Sequence, residues 1–350
     1  MSLWITIADG RASLARAAPA VERAPLRTAL IEARGALLSW DAASDDRFPD
    51  AVIHSPVEAL PWLAEIYGDE IATAVRAADE RTIPLPQDAE SVDAAHRLAA
   101  LSWASHWWPA GVYTPPLDGA VLAAETAVAA DVVAHLLDDE DAVELALRDA
   151  VDAPSALAAV PPRLRDDAAA LVDALADLAD DHGIELHPAM IARPEDWALA
   201  AGAHTPHGDG VEIGHGSAPV RWADVPPQTV AADSDAQWSL RHVDGVPHLH
   251  VSVAAVPGAT GDLLARFGPE ALDIDVPLHA DGIAFAGATQ VAASVALLPL
   301  DERTLWVRDP ILAPVPGPAE AEDARDAVRE YAVRRLDDPS ATLAERAAGE

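Results

Sequence analysis

The sequence predicts an α+β chain: a small α/β unit and a helical region, followed by an antiparallel, sandwich-like β domain. Three observations carry that reading. In 238–253, WSLRHVDGVPHLHVSV, an Asp244-Gly245 pair separates two runs of alternating apolar residues, and Asp-Gly readily takes the positive φ angles of a two-residue hairpin turn. Around it, 219–312 is broken into short apolar runs by Pro and Asp-Gly signals, the pattern of an antiparallel sandwich or barrel. Upstream, 88–183 repeats its apolar residues at helical spacing. The segments that follow are 1–87, 88–183, a linker or loop at 184–218, the β domain with a terminal helix at 219–336, and a frayed tail at 337–350.

Taken in order, Trp4, Ile5 and Ile7 predict a strand ending at Asp9-Gly10, and Leu26, Leu30 and Leu37 recur at helical spacing. A second strand at 51–54 leads into a helix from Pro56, with Leu60, Leu63, Ile66 and Tyr67 on one face. Residues 82–85, with Pro84 inside and Pro86 beyond, read as an edge strand. This order is compatible with a parallel sheet, yet no G-x-G-x-x-G or Walker sequence follows the first strand, so no nucleotide cradle is visible.

A helix over 91–108 stops before Pro109, and the next begins at Asp118, an N-cap, with Val121, Val128, Val132 and Leu136 on one side. Glu125 falls on that apolar stripe. It reads either as an acid or base working with His96 or His135, or as half of an ion pair with Arg97. A helix over 163–182 carries Leu164, Ala168, Leu171, Leu175 and Leu178, and Gly183 supplies its left-handed stop.

In the β domain, strands are expected at 220–222, 228–231, 271–278, 283–287, 290–298 and 304–307, around the central hairpin. Pairing outward from its turn sets Val243 against Val246, Arg241 against His248 and Leu240 against Leu249. Trp238, Leu240, Leu249, Val251 and Val253 then share a buried face, and Ser239, Arg241, His248 and His250 share the opposite one. A terminal helix over 325–336 is expected to face the sheet with Ala324, Val328 and Tyr331.

Composition narrows the chemistry. At 350 residues and 51% hydrophobic content, the chain exceeds most single domains and can fill packed cores. The absence of Cys excludes disulfides, thiolate nucleophiles and Cys-ligated metals, and the absence of Lys excludes Lys-based chemistry. With 58 acidic against 23 basic residues, a net charge of -35 repels phosphate backbones, so nucleic acid is not expected as a partner; solubility is the simplest account of that charge. MSLWITIADG is not a secretory leader and no run reaches the length of a membrane span, so a cytoplasmic protein without a membrane partner is expected.

Two histidine groups are candidate metal ligands. His204, His207 and His215 accumulate with Asp209 and Glu212 in a Gly-rich stretch, and His248 and His250 form an H-x-H pair on one strand face. H-x2-H-x7-H matches no recognised zinc spacing, and a wet polar strand face is the alternative reading of the pair. Candidate partner-binding residues are Trp103, Trp107, Trp108, Arg241, His248 and His250. The indoles either stack on a flat ligand or fill the junction between the helical and β parts. There is no G-x-S-x-G, and Ser217 and Ser234 have no base partner in the sequence. No cofactor other than a metal is expected.

HWWPAG at 106–111, LDGAVLAAETAVAA at 117–130 and RWADVPPQTVAA at 221–232, with a β-rich carboxyl half, resemble accessory proteins of high-GC actinobacteria. Among these, the layout is similar to the recognition proteins of daptide-type ribosomal-peptide pathways, over most of the chain. The resemblance implies a noncatalytic protein that captures a precursor leader peptide and presents it to modifying enzymes. It also implies a winged-helix module with a three-stranded sheet, whereas 1–87 shows one clear strand. The residues themselves leave three functions open: a peptide- or protein-binding accessory protein, a metal-dependent enzyme using the histidines, or a structural subunit of a larger complex. The first is preferred, because adding a partner strand needs only backbone hydrogen bonds and a few pockets, and so leaves little motif behind.

Overall fold

The computed structural model describes residues 2–16, 23–86, 90–188, 210–313 and 319–350. It is an α+β protein whose contacts divide it into two compact units: Met1–Ser105 with Leu117–Ile191 and Glu322–Glu350, and His106–Pro116 with Ala192–Ala321.

The first unit opens with six strands, β1 (Ser2–Ala8), β2 (Arg11–Ala15), β3 (Thr28–Ala33), β4 (Ala36–Asp41), β5 (Asp50–Ile53) and β6 (Thr82–Pro84). Their order is β3-β4-β5-β2-β1-β6 and the pairings are antiparallel. This corrects the parallel sheet, and it corrects the helix through Leu26, Leu30 and Leu37: Leu30 lies on β3 and Leu37 on β4. Turn chemistry is the cause. Asp9-Gly10 and Arg34-Gly35 each close a tight hairpin, with φ of 50° and 75° at the first pair and 74° at Gly35. A two-residue reversal leaves no room for the crossover that parallel strands require. Alternation along the strands buries Leu3, Ile5, Leu14, Ile31, Leu38, Trp40 and Ile53 on one face. The proline-bearing β6 lies at the sheet edge, as expected.

Seven helices follow in this unit's segments, α1 (Pro56–Tyr67), α2 (Asp69–Ala77), α3 (Glu90–Trp107), α4 (Gly119–Val132), α5 (Ala142–Asp149), α6 (Ala153–Ala158) and α7 (Arg165–His182). Asp118 caps α4 by accepting from the amides of Ala120 and Val121 at 2.9 and 3.1 Å. Gly183 ends α7 in the left-handed region.

The carboxyl end departs most from expectation. α8 (Glu322–Leu336) and α9 (Leu343–Ala348) belong to the first unit, not to the β domain. Tyr331 meets Trp103 edge-on with ring centroids 5.7 Å apart. The tail is not frayed. Thr342 and Glu345 form a reciprocal capping box at the start of α9, Arg335 pairs with Glu345 at 2.7 Å, and Leu343 and Ala344 are buried.

The second unit holds β7 (Val211–Ala218), β8 (Ala236–Val243), β9 (Val246–Ala254), β10 (Asp262–Phe267), β11 (Ile274–Ala280), β12 (Ala284–Gln290) and β13 (Leu305–Arg308). They form one antiparallel sheet in the order β13-β10-β11-β12-β9-β8-β7. The sheet curls until its end strands approach each other without forming a ladder. Its inner face is the core: Trp238, Leu240, Leu249, Val251 and Val253 are buried with Phe267, Phe285 and Leu278, and Trp238 packs edge-on against Phe267 at 4.9 Å.

Two strands differ from the sequence reading. β7 lies inside the expected linker, because Gly214 and Gly216 stand where apolar residues would signal a strand. A Cβ on Gly216 would come within 2.7 Å of the Trp238 ring, so the glycine makes room for the indole. β10 was not anticipated, although Leu263, Ala265 and Phe267 alternate inward. Conversely, 290–298 is largely a short 3-10 turn over Ala293–Leu297, Trp222–Asp224 is another, and Val230 makes only an isolated bridge to Ala255. Among the described residues, no helix is long and apolar enough to cross a membrane.

Candidate functional site

The hairpin of β8 and β9 has the register its turn dictates, with Val243 opposite Val246 and Arg241 opposite His248. Asp244 and Gly245 take φ of 54° and 81°. Flanked by β7 and β12, it arranges the outward side chains in rows across four strands. One row runs His215, Ser239, His250, Ala288. The next runs Ser217, Gln237, Ser252, Ala286, and the row on the other side runs Glu212, Arg241, His248, Gln290. Neighbouring strands lie about 4.8 Å apart, so each row spans roughly 15 Å.

Side-chain length along these rows creates a recess. Ser239, Ser252, Ala286, Gly287 and Ala288 are small and make its floor; His215, Gln237, Arg241 and His250 rise around it. Its volume is about 470 Å³. At the rim, one Glu212 carboxylate oxygen lies 2.9 Å from His215 Nδ1 and accepts its hydrogen when that nitrogen is protonated, and the second oxygen lies 3.7 Å from Arg241 Nη2. The rings of His248 and His250 are 6.5 Å apart.

Burial, then the nearby charges of Arg241 and His248, push the His250 pKa below its ordinary value, so this imidazole is neutral near pH 7. Its Nε2 is shielded from solvent and has no hydrogen-bond partner among the described residues. A desolvated polar atom of this kind is costly unless something arrives to pair with it.

His248, His250 and Arg241 therefore share one face, as the period-2 reading requires, and His215 joins them from β7. His204 and His207 lie outside the described residues. Among the described residues, no three His, Asp or Glu side chains converge as a metal set. The aromatic cluster is divided. Trp103 is buried in the first unit, its indole N–H donating to the Leu26 carbonyl at 2.7 Å. Trp108 is buried in the second, donating to the Pro115 carbonyl at 2.9 Å, and half-buried Trp107 lines a narrow cleft with Trp222, Pro226 and Pro227. Trp103 and Trp108 are thus packing residues and not a stacking platform: each ring fills a core and spends its one donor on a backbone carbonyl.

Glu125 is a clamp rather than an acid or base. Its carboxylate pairs with Arg97 at 2.9 Å and accepts from the amides of Leu343 and Ala344 at 2.8 and 3.0 Å. His96 instead stacks on Trp40 at 5.8 Å, and His135 pairs with Glu65 at 2.9 Å.

Sequence reasoning missed the floor of the recess. The run AFAGATQ of β12 is marked by small residues on its outward positions, which is a signal only once β12 is known to lie beside β9. No family model, no curated protein and no solved structure matches this chain.

Proposed function

We propose that the chain is a noncatalytic accessory protein that binds a peptide or protein partner in the recess on the outer face of β7, β8, β9 and β12. The observation that supports this most is the recess itself: about 470 Å³, within the range of roughly 300–1,000 Å³ usual for ligand sites, with a small-residue floor and a few convergent polar groups. A partner segment laid over that floor meets Arg241, Gln237 and two imidazoles without displacing any of the core. The leader of a ribosomally made precursor peptide is the partner class that the sequence resemblance suggests. Titration calorimetry of precursor leader peptides against the full chain and its Ser239→Trp variant tests the reading. Binding heat is expected for the parent and a loss of at least about tenfold in affinity once the indole fills the recess. Equal binding by both, or turnover of a small substrate with no peptide heat, contradicts it.

A second reading, a metal-dependent enzyme, has one supporting observation, the unpartnered Nε2 of His250 beside His248. It predicts about one equivalent of retained metal, lost in His250→Ala. Purified protein without metal after growth in zinc- and iron-supplemented medium contradicts it.

A further inference from the structure

We infer that the rim of the curled sheet carrying Leu272, Leu297 and Leu300 is a second docking surface, and that it takes a cationic amphipathic segment of another protein. None of these leucines lines the recess, so the inference stands whatever the recess holds.

Topology gathers the three at one end of the sheet. β10 ends at Phe267, which pairs with Ile274 at the start of β11 and with Leu305 at the start of β13; β12, antiparallel to β11, ends at that same rim. The connections over 268–273 and 291–304 therefore leave the sheet together. They fold into short 3-10 turns, Glu270–Leu272 in the first and Ala293–Leu297 and Leu300–Glu302 in the second. These turns converge on Gly268: a methyl of Leu272 and one of Leu298 lie 3.4 and 3.6 Å from where its Cβ would stand, and the Glu302 carbonyl 3.9 Å. Arg303 fastens the second connection by donating to the carbonyls of Ala296 and Leu298, both at 3.0 Å.

Leu298 turns inward and packs against the core, whereas Leu272, Leu297 and Leu300 are 40%, 83% and 81% exposed. A single exposed leucine means little. Three on adjoining, hydrogen-bonded turns make a fixed apolar patch, the kind of surface that a partner covers.

Charge selects the occupant. Glu270, Asp273, Asp275, Asp301 and Glu302 stand on or beside these turns, five acids against Arg266 and Arg303, a local balance of -3. Arg266 is engaged by Asp275 at 2.8 Å and Asp273 at 3.5 Å, which leaves Glu270, Asp301 and Glu302 against Arg303 alone. A second copy of the chain brings the same acidic rim and a net charge of -35, and an anionic membrane surface is repelled likewise. A segment whose apolar face covers the leucines and whose flanks carry Arg or Lys answers both features at once.

The test is calorimetry of the full chain with the capped peptide Ac-Leu-Arg-Arg-Leu-Leu-Arg-Gln-Leu-Arg-Arg-Leu-Leu-Arg-NH2, a counterpart with Gln for every Leu, and one with Glu for every Arg. The first is expected to bind about tenfold or more tighter than either control. The double variant Leu297→Gln/Leu300→Gln should lose about tenfold or more for it, and Asp301→Asn/Glu302→Gln about two- to tenfold. Val57→Gln, an equally exposed apolar residue of the first unit, and Ser239→Trp, which fills the recess, should leave it unchanged. Circular dichroism verifies that each variant keeps its fold. Equal affinity of the parent and the double leucine variant, equal binding of the Gln counterpart, loss in Ser239→Trp, or no heat up to millimolar peptide overturns the inference. So does leucine-dependent sedimentation with phosphatidylcholine vesicles, which would assign the patch to a lipid surface, or leucine-dependent dimers in light scattering, which would assign it to a second copy.

Discussion

Glu125 is 3% exposed and holds the start of α9 through two backbone amides, with Arg97 on the same oxygen as the Leu343 amide. A carboxylate suits that place because the first amides of a helix have no partner within it and carry partial positive charge. Arg97 is more than half exposed, so solvent weakens its share and the amide bonds supply most of the effect. Glu125→Ala is expected to cost about 2–4 kcal/mol in urea unfolding and to raise amide exchange across 343–349. Unchanged protection there contradicts the clamp.

His96 is a second residue whose surroundings have a measurable consequence. Burial lowers its pKa; the Arg335 and Arg47 charges act the same way, against Asp93 and Asp45. The unfolded chain takes a proton near the ordinary value of about 6.5, before the folded chain does. Its contribution to stability is therefore complete above that pH and is lost as pH falls toward the folded pKa. Between about pH 7.5 and about pH 5.5 the parent should lose more stability than His96→Phe, which keeps the stack on Trp40 but cannot titrate. Identical pH slopes contradict this. The Glu125–Arg97 pair was legible in the sequence, since a charge on an apolar stripe needs a partner. The amides of Leu343 and Ala344, more than two hundred residues away, were not, because nothing local announces a contact of that range.

At the scale of elements, turn chemistry and inner-face volume decide which strands form and which of them can be read. Asp244-Gly245 fixed the whole β8–β9 register in advance because alternating apolar residues flank it on both sides. Asp9-Gly10 closes the same kind of turn, but RASLA after it offers only Ala12 and Leu14 as inward residues, too weak a pattern to mark β2. β7 was hidden for the opposite reason: its inward positions are glycines fitted to the Trp238 ring. Gly216→Val is accordingly expected to cost about 1–3 kcal/mol by overpacking and to raise exchange in 211–218, with protection of β1 to β6 unchanged. Protection of β7 equal to the parent contradicts that account of its packing.

For the whole molecule, the net charge of -35 sets the response to salt. Self-repulsion among excess carboxylates opposes the compact state, and screening relieves it. The urea midpoint should rise as salt is raised toward about 1 M, where the Debye length is roughly 3 Å; a falling midpoint would mean that the surface ion pairs outweigh the excess charge. Composition disclosed this scale well, along with the chemistries that a chain without Cys or Lys forgoes. The division into units was beyond it, because α8 and α9 return to the first unit through side-chain contacts, such as Tyr331 on Trp103, that leave no mark on segment order.

The central claim is that a partner peptide seats on the outer face of four strands in the second unit. Amide chemical-shift mapping of the isotopically labelled full chain, titrated with a precursor leader peptide, addresses it most directly. Shifted amides are predicted to concentrate in β7, β8, β9 and β12, with the imidazole signals of His250 moving alongside them. Shifts gathered on the first unit instead, or a spectrum unchanged at millimolar peptide, would contradict the account.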